Sequence, residues 1–376
     1  MIDIKCEYSL RKHTVLTGLI CLLSLFVSCR HKDETPPLKT RTVIVYMIGD
    51  NTLDSNVDAD INEMERGWND SFDGDLIVYV DQKRVAPYIL KISSDKTNSV
   101  VSKEVMKYSE QNSSSLEVME KVLSDIKGMY PAKSYGLVLW SHGNGWFPAS
   151  SSSVTKAFGD DGGKNMEISE LAELSGKYDF LIFDACDMMG IETAYELKHK
   201  ADYIIASVTQ VLADGFPYDN IIKYLFTENA DFGAVCRKFM DSYPTSAAIS
   251  AVKTGNLDNI ASASKVLIQK YKSNIENIDV SLIQKYDSYE TTLLFDFLDF
   301  MKKIAGNDPD LQMLSTQLNE TVVFEEHTES IYTVDERNNG IMIDVTTSCG
   351  LSCYIPGRNR SLDNAYKTTS WYKAVY

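Results

Sequence analysis

The strongest constraint on the fold is a rhythm of short apolar runs alternating with stretches of helical spacing. Thr42-Val43-Ile44-Val45-Tyr46-Met47-Ile48 is almost continuously apolar and runs into Gly49-Asp50-Asn51, the pattern of a strand buried on both faces and closed by a turn. Val57, Ile61, Met64 and Trp68 then recur at helical spacing over residues 55–68. Asp75-Leu76-Ile77-Val78-Tyr79-Val80-Asp81 reads as a second buried strand, and residues 88–92 as a third of more alternating character. A helix over 115–129 puts Leu116, Met119, Val122, Leu123 and Ile126 on one face. Strands over 134–141, 178–184 and 203–207 follow, with helices over 169–174 and 188–198 between them. This alternation predicts the α/β class: a mostly parallel sheet with helices on both faces. In such sheets function is expected at the carboxyl ends of the strands.

Two segments break the rhythm. Residues 147–164 carry consecutive serines and Asp160-Asp161-Gly162-Gly163 with little apolar content, and read as a long loop of the functional or mobile kind. Past residue 255, helical stretches over 257–272 and 292–304 precede alternating segments over 321–326, 330–334, 340–346 and 351–356. The expected organisation is therefore a main domain over 42–254 and a smaller C-terminal α+β lobe over 255–376.

The amino terminus is read separately. Arg11, Lys12 and His13 precede an uncharged run over 14–27, shorter than the roughly 20 residues that span a bilayer. Leu25-Phe26-Val27-Ser28-Cys29 resembles the lipobox of bacterial lipoproteins, so residues 1–28 read as a cleaved signal peptide and Cys29 as the lipidated residue. An anchoring helix with an incidental cysteine is the other reading. Residues 29–41, with Pro36-Pro37, read as a polar tether. Lys32-Asp33-Glu34 resembles a lipoprotein surface-export signal and equally a solvated charge run. The expected location is the bacterial cell envelope, lipid-anchored in the outer membrane, with membrane contact through that lipid.

Charge narrows the partners. With 37 Lys and Arg against 53 Asp and Glu, the net charge of −16 excludes a chain whose main task is gripping nucleic acid or anionic headgroups, and suits a basic substrate. Cys6 and Cys21 leave with the signal peptide and Cys29 carries lipid, which leaves Cys186, Cys236, Cys349 and Cys353. Cys349 and Cys353 would stand about 13 Å apart on an extended strand, too far for a disulfide.

Chemistry concentrates at two strand ends. Tyr135-Gly136-Leu137-Val138-Leu139-Trp140-Ser141 delivers His142, then Gly143, and Phe180-Leu181-Ile182-Phe183-Asp184-Ala185 delivers Cys186. On neighbouring parallel strands the two would stand side by side, an acid/base beside a nucleophile. A helix starting near Met188 would favour the thiolate through its dipole. Taken singly, Cys186 reads as inert core and His142 as a turn residue; the pair carries the chemistry. No CxxC metal set, HExxH, P-loop or GxSxG is present in the sequence.

Ser141-His142-Gly143 and Asp184-Ala185-Cys186, each after a hydrophobic strand, resemble the clostripain family of cysteine peptidases, which shares the caspase and gingipain fold. Val43-Ile44-Val45-Tyr46-Met47 and Gly350-Leu351-Ser352-Cys353-Tyr354-Ile355-Pro356 extend the resemblance. It implies a caspase-like three-layer α/β/α sandwich and an endopeptidase in which Cys186 attacks the scissile carbonyl and His142 protonates the departing amine. The backbone N–H groups of Gly143 and Cys186 would hold the oxyanion. It implies protein or peptide substrates cleaved after Arg or Lys, with Asp184 and Asp214 as the acidic residues of the S1 pocket; their plainer readings are a strand-end hydrogen-bonder and a turn former. Self-cleavage after Lys156 is the implied activation, against a plain surface lysine. No cofactor is expected. Calcium, which some relatives need, would fall to Asp160-Asp161-Gly162-Gly163, but the segment lacks the ligand spacing of a calcium loop. A catalytically inactive surface binding or scaffold lipoprotein on the same fold is the alternative function.

Overall fold

The computed structural model describes residues 37–148, 157–335, 337 and 339–376. The signal peptide, Cys29, tether residues 30–36 and Lys156 lie outside the described residues, while residues 39–41, expected in the tether, already belong to the first strand. Lys39–Tyr376 form one unit. In chain order its main elements are β1 (Lys39–Gly49), α1 (Asp54–Gly67), β2 (Gly74–Gln82), β3 (Val85–Lys91), β4 (Lys103–Lys107), α2 (Leu116–Met129) and β5 (Ala132–Trp140). The short hairpin β6 (Phe158–Asp161) and β7 (Lys164–Met166) follows, then α3 (Ile168–Leu171), β8 (Tyr178–Asp184), α4 (Ile191–Glu196), β9 (Ala201–Ala206), α5 (Tyr218–Leu225), α6 (Phe232–Ser242), β10 (Ala248–Lys253) and α7 (Leu257–Lys270). The rest includes β11 (Phe295–Asp296), α8 (Phe297–Ala305), α9 (Asp310–Thr321), β12 (Val322–His327), β13 (Ser330–Val334), β14 (Gly340–Asp344) and β15 (Ser352–Cys353).

Nine strands form the main sheet in the order β12-β10-β9-β8-β5-β1-β2-β3-β4. The five central strands, β9 to β2, are parallel; the outer strands on both sides are antiparallel. The expected α/β sandwich is thus present, and its outermost strand on one side comes from the C-terminal third of the chain.

Side-chain parity builds the two faces. Ile44, Tyr46 and Ile48 of β1 enter one hydrophobic cluster with Leu137, Leu139, Leu181 and Phe183, under α2 and α7. Val43, Val45 and Met47 enter the other with Val138, Trp140, Phe180 and Ile182, under α1, α5 and α6. Period-2 alternation within runs apolar at every position is what burial on both faces requires.

The register of β5 against β8 matters most for the site. Gly136 pairs with Phe180, and a Cβ on Gly136 would fall 2.1 Å from the Phe180 ring. Glycine alone admits the ring there, and burying that ring contributes about 2–3 kcal/mol. The register ends at Trp140 opposite Asp184, so the residues two positions beyond each, His142 and Cys186, leave adjacent strands at the same height.

Candidate active site

The strand order reverses between β1 and β5, which run parallel, since the chain builds β2 to β4 on one side of β1 and β5, β8 and β9 on the other. Crevices open at such points beyond the carboxyl ends of the strands. Here the β1–α1 loop supplies Thr52, whose hydroxyl lies 2.7 Å from Nε2 of His142. Ser141 ties the loops together: its hydroxyl donates to the Ile48 carbonyl at 2.9 Å and accepts from the Asp160 N–H at 3.1 Å. Asn51 adds side-chain hydrogen bonds to the Ile48 and Asp160 carbonyls.

One crevice along, between β5 and β8, lies a cavity of about 150 Å³ lined by Trp140, Ser141, His142, Asp184, Cys186 and the 211–215 loop, among others. His142, Cys186 and Asp184 thus meet at one cavity, as expected. Gly143 is also at hand: a Cβ there would sit 3.0 Å from the Cys186 carbonyl. The backbone contacts of this segment run through the His142 carbonyl and the Asn144 N–H, paired with Gly159 and Ala157, rather than through the Gly143 N–H.

The cysteine departs from expectation. β8 ends at Asp184, and Cys186 occupies a tight turn whose next residue, Asp187, has a φ of +61°. The following helix, α4, starts only at Ile191, so its N-terminus does not follow directly on the sulfur as a start near Met188 would have. Asp187 N–H bonds to the Thr209 carbonyl and Met189 N–H to that of Ser207, which pins the turn to the chain after β9. The sulfur contacts the backbone of Val211: it accepts from that N–H at 3.3 Å and lies 3.6 Å from the carbonyl. Burial, reinforced by the Asp187 carboxylate, pushes the thiol pKa up to about 12 despite the Val211 N–H. In this state Cys186 is a protonated thiol.

The two acidic residues separate. Asp184 is buried, and one oxygen accepts both the Phe216 N–H at 3.1 Å and the Tyr218 hydroxyl at 2.8 Å. Burial raises its pKa to about 6 against those donors. Asp214 is exposed on the loop and is not among the cavity-lining residues, although its neighbours Ala213 and Gly215 are. Both Asp160 and Asp161 are buried, on the strand β6 rather than in a loop; Asp161 accepts the Ser113 N–H at 2.6 Å. Among the described residues no group of three or more His, Cys, Asp or Glu is arranged to hold a metal ion. Cys186, Cys236, Cys349 and Cys353 are all free.

Sequence reasoning passed over Thr52, Val211, Tyr218 and Asp60, which accepts the Trp140 indole N–H at 2.7 Å. For the first three, only tertiary approach reveals the partnership. Asp60 carried a readable signal: an acid three residues after Val57 and four before Met64 stands on the apolar stripe of α1.

Comparisons place this geometry among known proteins. A model of the clostripain family, peptidase C11, matches residues 45–376. Clostripain of Hathewaya histolytica is 30% identical over 216 residues, 48% of this chain; the match spans 41% of that protein's length. A secreted C11 cysteine protease of Bacteroides thetaiotaomicron, solved with an irreversible peptide inhibitor, superposes with a TM-score of 0.80 at 30% identity, covering 89% of this chain and 98% of that one. An inactive zymogen of a C11 protease from Parabacteroides distasonis gives 0.80 at 29% identity, with 91% and 99% covered.

Proposed function

Because the chain belongs to the clostripain family of cysteine peptidases, we propose that it is an endopeptidase cleaving after Arg or Lys through Cys186 and His142. The observation that carries this reading is the β5–β8 register, which ends both strands at one cavity with His142 and Cys186 at equal height and Asp184 beside them. In the reaction the Cys186 sulfur attacks the scissile carbonyl as its proton passes to His142. The oxyanion is held by the Gly143 and Cys186 N–H groups. His142 then gives the proton to the departing amine, and water releases the acyl group from sulfur. Asp184 faces the basic side chain, with Asp214 at the rim, where a carboxylate and guanidinium form charge-assisted bonds.

The resting arrangement suits a precursor. With the thiol protonated against Val211 and Nε2 of His142 on Thr52, attack requires the 211–215 loop to shift. Self-cleavage after Lys156 would supply the trigger. Ala157, the residue that would follow the cut, is buried and its carbonyl accepts from the N–H of Asn144, two residues past His142. The relative solved as an inactive zymogen supports this activation. Lipid attachment at Cys29 and an envelope location rest on the amino-terminal sequence, alongside a relative described as secreted.

The test uses residues 30–376 and the Cys186→Ala variant with fluorogenic peptides ending in Arg, Lys, Asp or Leu. Turnover restricted to Arg and Lys and absent from the variant is expected. No turnover of any peptide by the wild type would favour the inactive binding protein, and turnover that survives Cys186→Ala would remove the assignment of the nucleophile.

A further inference from the structure

Behind the cavity stands a carboxyl group that the reaction above does not use. Trp140 lines the cavity, and its indole N–H is held at 2.7 Å by Asp60 Oδ2. Parity explains why they meet: Trp140, Phe180 and Ile182 face the same side of the sheet as α1, Asp184 continues that parity, and Asp60 lies on the stripe that α1 turns toward it. Asp60 is 3% exposed and Asp184 5%. An acid in such a place costs stability that an apolar residue there would not. The Trp140 N–H needs an acceptor there, but a neutral one would serve, so the hydrogen bond alone does not call for an acid.

We infer that Asp60 is a specificity-determining residue: it fixes the Trp140 wall and shares with Asp184 the negative charge that receives a cationic side chain. The inference rests on reading the cavity as the pocket for Arg or Lys. The groups facing Asp60 come from each element around it. Glu63 lies on its own helix, where it accepts the Tyr218 N–H at 3.0 Å and pairs with Arg66 at 3.7 Å. Asp184 comes from β8, Asp214 from the 211–215 loop, Tyr218 from α5, and Tyr243 follows α6.

With the pocket empty, burial and then the nearby Asp184 charge lift Asp60 to about 9, while burial lifts Asp184 only to about 6. Between those values Asp184 is ionised and Asp60 keeps its proton. A guanidinium in the pocket stabilises the ionised form of Asp60, lowers its pKa and expels that proton. Affinity for a cationic side chain then rises with pH in two steps, first through Asp184 and then through Asp60, at most about tenfold per pH unit while one proton is exchanged.

The experiment compares kcat/KM for matched peptides ending in Arg and in citrulline, its neutral isostere, across pH. Their ratio cancels the titration of Cys186 and His142. Wild type should show both rises. Asp60→Asn, which still accepts from Trp140, should keep the first and lose the second, and Trp140→Phe, which removes the N–H together with the five-membered half of the indole while leaving the Asp60 carboxyl in place, should keep both. Titration calorimetry of the wild type with peptidyl aldehydes ending in Arg or citrulline, in buffers of different ionisation enthalpy, should count more protons released for Arg at about pH 7.5. Arg preference with an unchanged second rise in Asp60→Asn, or equal proton release for the two aldehydes, overturns the inference while leaving the basic pocket in place. A wild type indifferent between Arg and citrulline at every pH overturns the pocket reading and this inference together.

Discussion

At Gly215 the backbone takes a φ of +61°, and a Cβ there would fall 2.7 Å from an Asp184 oxygen. Glycine is what lets the loop carbonyl reach the Tyr243 hydroxyl at 2.5 Å while the next N–H, of Phe216, bonds Asp184. Gly215→Ala is therefore expected to cost about 1–2 kcal/mol of stability through the forced left-handed conformation. It should also displace Asp184 and lower kcat/KM for Arg peptides more than for citrulline peptides; denaturant unfolding and that ratio check the two effects. His142 and Cys186 were legible because a strand that is apolar throughout ends abruptly in a reactive side chain. Asp60 was passed over although its spacing could be read, because a stripe read by its apolar members skips the acids, Asp60 and Glu65, buried on the same helix. The exposure of Asp214 was not legible, since sequence places a residue on a loop without saying which way the loop turns.

Among the elements, the 211–215 loop bears most directly on Cys186, since Val211 both donates to and lies against its sulfur. The expectation of a helix dipole at Cys186 failed because the chain makes a turn through Asp187 and a bridge at Gly190 before α4 begins. Apolar spacing from Met188 onward looks helical, but backbone bonds to Ser207 and Thr209 hold it otherwise. A thiol pushed up to about 12 is almost wholly protonated at neutral pH. Alkylation of Cys186 by iodoacetamide, followed by mass spectrometry, should thus be slow in the unprocessed protein. It should quicken at least about tenfold once the chain is cut between 147 and 164, because a fall of one pKa unit multiplies the thiolate tenfold. Equal rates before and after cutting would show that the loop does not hold the thiol back.

Over the whole molecule, the central parallel strands were readable because burial on both faces forces continuous apolar runs. β4 and β10 were not read: Lys103–Lys107 is too polar to announce a strand, and Ala248–Lys253 follows helices whose spacing was left unread. β12 joins the main sheet from far along the chain through antiparallel pairing with β10, a neighbour that no local pattern specifies. On the proposed function, this architecture brings Cys186 and His142 to one crevice as a nucleophile and its proton partner. The most direct test treats processed protein with a peptidyl acyloxymethyl ketone ending in Arg and maps the adduct by peptide mass spectrometry. A single adduct on Cys186 that His142→Ala slows by orders of magnitude is the expected result; an adduct on another residue, or labelling indifferent to His142, would contradict it.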